Sequence, residues 1–221
     1  MTASKKKAIV LGATGLVGLA LVEKLQQAPE FETITLVVRK ESQVFNTYEK
    51  VNQLIIEDFL MLNDEDVNGH THAFSCLGTT LKNAGSKQGF YAVDYEINAH
   101  LADLVQDKHI HLLLVSALGA NANSPIFYNK VKGQLEDYIE SLGIEKLSIF
   151  RPSLLIGKRS DVRLIEDLGQ SLFKFIENKW QKPFKYKPVT AEQLAHTMVV
   201  AALTQIEAFK RYDNLSIQKT R

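Results

Sequence analysis

A single cysteine, Cys76, stands in the whole sequence, so no internal disulfide can form and nothing points to an oxidising, secreted setting. Long hydrophobic runs are missing as well, since none approaches the roughly 20 apolar residues that a bilayer-spanning helix needs. Lys5-Lys6-Lys7 resembles the basic start of a signal peptide, but Gly12, Gly15 and Gly18 interrupt the stretch where its apolar region should continue. An excess of one charge is lacking too. The 26 Lys and Arg residues oppose 25 Asp and Glu, which leaves no overall field to attract nucleic acid. These absences predict a soluble, cytoplasmic protein with neither nucleic-acid nor membrane partners. The charge is unevenly spread, with 13 Lys and Arg against 18 Asp and Glu over residues 1–150, and 13 against 7 over residues 151–221. Two solvated faces account for that split most simply; the alternative is a basic segment lining a site for an anion or pairing with an acidic neighbour.

What is present is a chain of 221 residues, 45% apolar, enough for one α/β domain and too little for two. Short apolar runs at Lys7–Leu11, Ile34–Val38, Leu54–Glu57, Ala73–Leu77, Leu112–Val115 and Leu147–Phe150 read as buried strands. Helical spacing separates them at Leu16–Gln27, Tyr91–Gln106 and a stretch running to Leu142. Ser124 would be the N-cap of the last, Pro125 its first residue and Gly143 its stop. Such alternation predicts a doubly wound parallel sheet of the Rossmann type. Beyond Pro152 the alternation weakens. Val162–Asn178 and Thr190–Leu203 read as helices, the second opened by a capping box of Thr190 and Gln193. The expectation is one domain over residues 1–221, with 152–221 as a small C-terminal appendage on the substrate side.

Gly12-Ala13-Thr14-Gly15-Leu16-Val17-Gly18 lies between the first strand and the first helix. The first glycine permits a tight turn, the second lets backbone approach a pyrophosphate, and the third allows close helix–strand packing. Phosphates would rest on the unpaired amides of the helix N-terminus, where the dipole favours an anion. The strand before and the helix after make this a dinucleotide site. At the end of the second strand, where an Asp or Glu would hold the ribose of NAD, the sequence reads Val38-Arg39-Lys40. Two cations there favour a 2′-phosphate, so the expected cofactor is NADP(H).

Tyr128 and Lys132 are four residues apart on one helix and share a face. Ser116, at the end of the fifth strand, precedes Tyr128 by twelve residues. A tyrosine in the first turn of a helix, beside an ammonium, has two influences favouring phenolate. This Ser and Tyr-x-x-x-Lys set, following the glycine turn, resembles the short-chain dehydrogenase/reductase family. The resemblance implies that Tyr128 is the general acid/base, that Lys132 lowers its pKa and holds the nicotinamide ribose, and that Ser116 orients a carbonyl. Asn98, on the preceding helix, stands where related enzymes often place a supporting Asn. A closer resemblance covers nearly the whole chain. It runs through Gly12-Ala13-Thr14-Gly15, Cys76-Leu77-Gly78-Thr79-Thr80, Ser116-Ala117-Leu118-Gly119-Ala120, Tyr128-Asn129-Lys130-Val131-Lys132-Gly133 and Phe150-Arg151-Pro152-Ser153. These strings look like the Tat-interacting-protein-like branch of atypical short-chain dehydrogenases. That branch implies that Leu77, Gly78, Thr79 and Thr80 flank the cofactor's ribose and phosphates, that Asp58 and Phe59 bracket the adenine, and that Arg151 and Pro152 run along the nicotinamide side.

His70/His72 and His109/His111 are His-x-His pairs, which on a strand would point to one face and could offer two metal ligands, but no Cys or carboxylate cluster with ligand spacing accompanies them and one pair sits in a loop. Cys76 reads as a small buried hydrophobe. Lys182–Pro188 interleaves cations with aromatics and reads as a connector or a rim over the substrate. Phe173, Phe175 and Trp180 read as packing residues. Two functions follow. One is an NADP(H)-dependent oxidoreductase of a small carbonyl or alcohol. The other is a non-catalytic NADP(H)-responsive regulatory or protein-binding factor. The partner expected is a small carbonyl substrate, with a homodimer or a protein partner left open.

Overall fold

Strands buried on both faces need runs of apolar residues, and this chain carries them at Ala8–Leu11, Leu36–Val38, Leu112–Val115 and Ile149–Phe150. In the computed structural model, which describes residues 5–157 and 184–220, the strands are β1 (Lys6–Leu11), β2 (Phe31–Val38), β3 (Val51–Ile55), β4 (His72–Ser75), β5 (His111–Val115) and β6 (Lys146–Arg151). β7 (Leu155–Ile156) and β8 (Val189–Thr190) form a separate parallel pair, and β9 (Phe209–Asp213) completes a seven-stranded parallel sheet of order β3-β2-β1-β4-β5-β6-β9. Alternate residues serve opposite layers. Ala8, Val10, Phe74 and Phe150 pack on one face with helices α1 (Leu16–Gln27) and α5 (Ala191–Thr204). Ile9, Leu11, Ala73 and Ile149 pack on the other, against α3 (Ile97–Val105) and α4 (Phe127–Ser141). The doubly wound Rossmann-type architecture is therefore as expected.

The strand order reverses between β1 and β4, which lie side by side with Leu11 opposite Ser75. A crevice at such a switch point, outside the carboxyl ends of the strands, is where this fold receives ligands. Beyond Pro152 the chain does more than append. Leu194, Ala195 and Met198 of α5 enter the core beside α1, and the capping box of Thr190 and Gln193 is formed. β9 pairs with β6 at the sheet edge, and α6 (Asn214–Lys219) follows it. Neither β9 nor α6 was expected, because Phe209-Lys210-Arg211-Tyr212-Asp213 is an edge strand whose charged residues leave no apolar run. The expected helix over 162–178, with Phe173, Phe175 and Trp180, lies outside the described residues.

Two helix boundaries need correction. α4 starts at Phe127 with Ile126 as N-cap, not at Pro125. The Ser124 hydroxyl accepts the Ile126 amide at 3.1 Å, closing a turn before the helix instead of capping its first turn. Ahead of α3 the helix begins early, as α2 (Lys87–Tyr91), and a π turn over Ala92–Glu96 joins the two. Gly143 stops α4 as expected, at φ +66°.

Candidate active site

The glycine turn is required by contact, not only by flexibility. Gly12 has φ +78°, and a Cβ there would lie 2.7 Å from the Cys76 carbonyl carbon at the end of β4. At Gly18 a Cβ would come 2.0 Å from the Gly12 oxygen, so only glycine lets α1 sit this close to β1. Gly15 differs, because its Cβ would meet only the Gly12 oxygen, at 3.3 Å. α1 begins there with no side-chain cap and no acidic residue in its first turn. Its first amides are thus left to an anion, and the cradle fits a pyrophosphate.

Two clefts flank this turn and meet at Leu77. The first, of about 650 Å³, is lined by Gly12, Ala13, Thr14, Arg39, Lys40, Glu41, Gln43 and Phe59 among others. The second, of about 530 Å³, is lined by Gly15, Leu16, Val17, Gly78, Thr79, Thr80, Asp94, Ser116, Tyr128, Lys132 and Pro152 among others. The expected adenosine and nicotinamide halves therefore fall in separate hollows with the glycine turn between them. Gly18 packs behind the turn. Asp58 lines neither cleft; it is exposed, and its carboxylate accepts the Leu60 amide at 3.0 Å, holding the turn that presents Phe59. Arg151 also turns away from the clefts. Its guanidinium is paired with the buried carboxylate of Glu136, because an arginine at this strand end finds a stronger partner inside the protein than in the cleft.

Tyr128, Lys132 and Ser116 come together in the second cleft, each with a partner the sequence did not announce. Tyr128 rests against the Phe90 ring, with centroids 5.6 Å apart. Lys132 Nζ lies 2.8 Å from Asp94 Oδ1, and both side chains are closed to solvent. Burial opposes the Lys132 charge, but Asp94, Tyr128 and Glu136 more than offset it, so the ammonium is held above its ordinary range. The Ser116 hydroxyl donates to Glu136, which Arg151 and Arg211 also hold. Asp94 sits in the π turn, and its second oxygen accepts the Thr79 amide at 2.8 Å. Asn98, expected only as a possible supporting residue, is buried. Its amide donates to the carbonyls of Val93 at 3.0 Å and Asp94 at 3.3 Å, and its oxygen accepts from Ser75. The available signal for Asp94 and Glu136 was an acid on the buried face of an amphipathic helix. Asp94 is in phase with Asn98, Leu101 and Val105, and Glu136 with Lys132 and Ile139.

Other residues singled out in the sequence lie elsewhere. His72 and His111 face one another across β4 and β5 at the far end of the sheet. His70 bridges Val67 and Thr35, and His109 pairs with Glu145 at the surface. Cys76 lines the second cleft, and although the residue is partly exposed its thiol is pushed up to about 12 by burial. The described part of the Lys182–Pro188 loop is pinned as a connector, with the Lys187 carbonyl accepting from Ser153 and Asn214.

Residues 7–88 match the family model of the semialdehyde dehydrogenase NAD-binding domain. The chain is 32% identical over 196 residues to Protein FMP52, mitochondrial, of Candida albicans, covering 86% of this chain and 85% of that one. It is 34% identical over 191 residues to Protein HTATIP2 of Rattus norvegicus, covering 84% and 77%. Among solved structures it resembles a short-chain dehydrogenase/reductase family oxidoreductase from Burkholderia thailandensis, with a TM-score of 0.69 at 15% identity over 99% of this chain and 95% of that one. That likeness carries the fold alone. The FMP52 relatives from several yeasts are named mitochondrial, which overturns the expectation of a cytoplasmic protein. That expectation rested on finding no targeting segment, and composition does not report an address.

Proposed function

Since the chain belongs to the family of FMP52 and HTATIP2 and is built on an NAD(P)-binding Rossmann domain, we propose that it is an NADP(H)-dependent oxidoreductase that reduces a small carbonyl compound. One observation carries this reading: Tyr128 and Lys132 line the same cleft as Gly15 and Thr79, at the end of the dinucleotide path away from Arg39 and Lys40. In it, Arg39 and Lys40 hold the 2′-phosphate, the first amides of α1 hold the pyrophosphate, and Gly78, Thr79 and Thr80 flank the nicotinamide ribose. When bound, the cofactor supplies the hydride. Tyr128 gives a proton to the carbonyl oxygen, Lys132 and Asp94 hold the geometry around it, and Ser116 lines the wall beside it. Val115, Ala117, Leu154 and Leu155 give that wall an apolar surface, which suits an uncharged substrate.

The test follows NADPH oxidation across a panel of small aldehydes and ketones. Turnover with at least one of them is expected, together with a loss of about a hundredfold or more in Tyr128→Phe, the usual size of a general-acid contribution. Undiminished turnover in that variant removes Tyr128 from the role. A second reading, a cofactor-responsive binding factor without turnover, draws on the commitment of the Ser116 hydroxyl hydrogen to Glu136. It expects tight NADPH binding with no oxidation across the panel.

A further inference from the structure

Residues 76–80, between β4 and a helical turn at Leu81–Ala84, have no regular structure. They nevertheless form wall in both clefts, Leu77 in the first and Leu77, Gly78, Thr79 and Thr80 in the second. The side-chain bonds of this loop are local. Thr79 Oγ1 donates to the Thr80 carbonyl at 3.4 Å, and Thr80 Oγ1 accepts the Asn83 amide at 3.1 Å. The Thr79 amide does something else: it donates to Asp94 Oδ2 at 2.8 Å, fifteen residues further along the chain. Asp94 is fully buried in the π turn over Ala92–Glu96. Its other oxygen, Oδ1, lies 2.8 Å from Lys132 Nζ of α4. Gly78 lies on this pair, since a Cβ there would be 3.4 Å from Asp94 Oδ1 and 3.8 Å from Lys132 Nζ. Loop, π turn and α4 thus meet at one carboxylate.

Stability alone does not call for such a set. A buried ion pair contributes little net stability, and apolar groups of the same volume would hold two helices together as well. Apolar groups cannot, however, receive a backbone amide. We propose that Asp94 is a positioning residue for the cofactor: it latches the loop at Thr79 onto α4 through Lys132, so that the wall meeting the nicotinamide half is formed before the cofactor arrives. That this half enters the second cleft rests on the reductase reading. A loop already ordered gives up no conformational freedom on binding, and the cofactor is held more tightly by that difference. Arg39 and Lys40 stand in the other cleft, so the adenosine half is indifferent to the latch.

The experiment compares, by titration calorimetry, NADPH with 2′,5′-ADP, which carries the adenosine half and stops short of the nicotinamide. Asp94→Ala is expected to raise the Kd for NADPH about tenfold, as for loss of one charge-assisted contact, and to leave that for 2′,5′-ADP at the parent value. Asp94→Asn keeps an acceptor for the Thr79 amide and is expected to recover most of the NADPH affinity. Both variants leave Lys132 without its carboxylate, so the difference between them isolates the bond to Thr79. Equal losses of NADPH and 2′,5′-ADP would mean that Asp94 only supports the fold. Equal losses of NADPH in the two variants would place the effect in the ion pair, and an unchanged Kd in Asp94→Ala would leave the latch without effect; each of these overturns the proposal. If neither variant folds, hydrogen exchange of the Thr79 amide in the cofactor-free parent decides. Slowing of about a hundredfold or more is expected of an amide bonded to a buried carboxylate, and exchange at the rate of an unstructured chain means that no latch exists. Should the parent bind NADH more tightly than NADPH, NADH and ADP serve the same comparison and only the choice of NADP(H) is lost. None of these measurements needs turnover, so inactivity across the carbonyl panel would sink the reductase reading and leave the latch standing.

Discussion

Arg39 and Lys40 are exposed and line the first cleft at the end of β2, and Glu41 beside them lines it too. An exposed guanidinium is free to make bidentate hydrogen bonds to a phosphate, and it loses nothing when NADH, which lacks the 2′-phosphate, enters instead. Arg39→Ala is therefore expected to raise the Kd for NADPH about tenfold, as for loss of one charge-assisted contact, and to leave the Kd for NADH nearly unchanged. Fluorescence titration with the two cofactors measures both. Equal parent affinities, or an equal loss for both, would remove Arg39 from the 2′-phosphate. This position was legible in the sequence because it follows from counting along a strand–helix–strand unit. The glycine turn was legible for a similar reason, as its rules concern local backbone. Arg151 was not. Its direction depends on Glu136, fifteen residues earlier and buried on a different element, and no local pattern reports that.

Helices show the same division. The spacing that predicted a helix over Tyr91–Gln106 reads one face, and it found the region correctly. It could not report a π turn, because one extra residue per turn disturbs the phase by less than the scatter of apolar positions. Yet the π turn is what brings Asp94 to Lys132. Asn98 holds it, supplying side-chain donors to two carbonyls within the turn. Asn98→Ala leaves both carbonyls and the Ser75 hydroxyl without those partners, and a loss of about 2–3 kcal/mol in urea unfolding is expected. Asn98→Asp is the informative companion. It keeps an acceptor for Ser75 but removes the donors and sets a second carboxylate one turn from Asp94, so it is expected to cost at least as much. If both variants unfold with the parent, Asn98 is not what holds the π turn.

Across the whole molecule, the two ends of the sheet do different things. Carboxyl ends of the strands make the clefts, while the opposite end holds an imidazole pair with no part in them. His72 and His111 lie in register on β4 and β5, with rings 5.5 Å apart and both buried. The sequence showed two His-x-His pairs; which members would meet depended on the register of strands nearly forty residues apart. His72 meets the Ala202 carbonyl at 3.0 Å, and His111 meets Ser148 Oγ at 2.7 Å. Burial first, and then the charges of Lys6 and Lys146, joined at His111 by that of His72, hold the two down, to about 4 for His72 and about 3 for His111. Both folded values lie below the ordinary 6.5, so the fold prefers neutral rings. As pH falls below 6.5 the unfolded chain takes up protons that the native protein refuses until about pH 4, and stability falls across that window. Each imidazole contributes a loss of about 2 kcal/mol between pH 7 and pH 5. His111→Gln retains a polar group near Ser148 but cannot titrate. Its urea-unfolding free energy is expected to be lower than the parent's at pH 7 and to decline less steeply toward pH 5. Because the pair is remote from both clefts, NADPH affinity at pH 7 is expected to match the parent's. Parallel declines in the two proteins would mean that other groups set the acid limit, and a weakened cofactor affinity would mean that the two ends of the sheet are coupled.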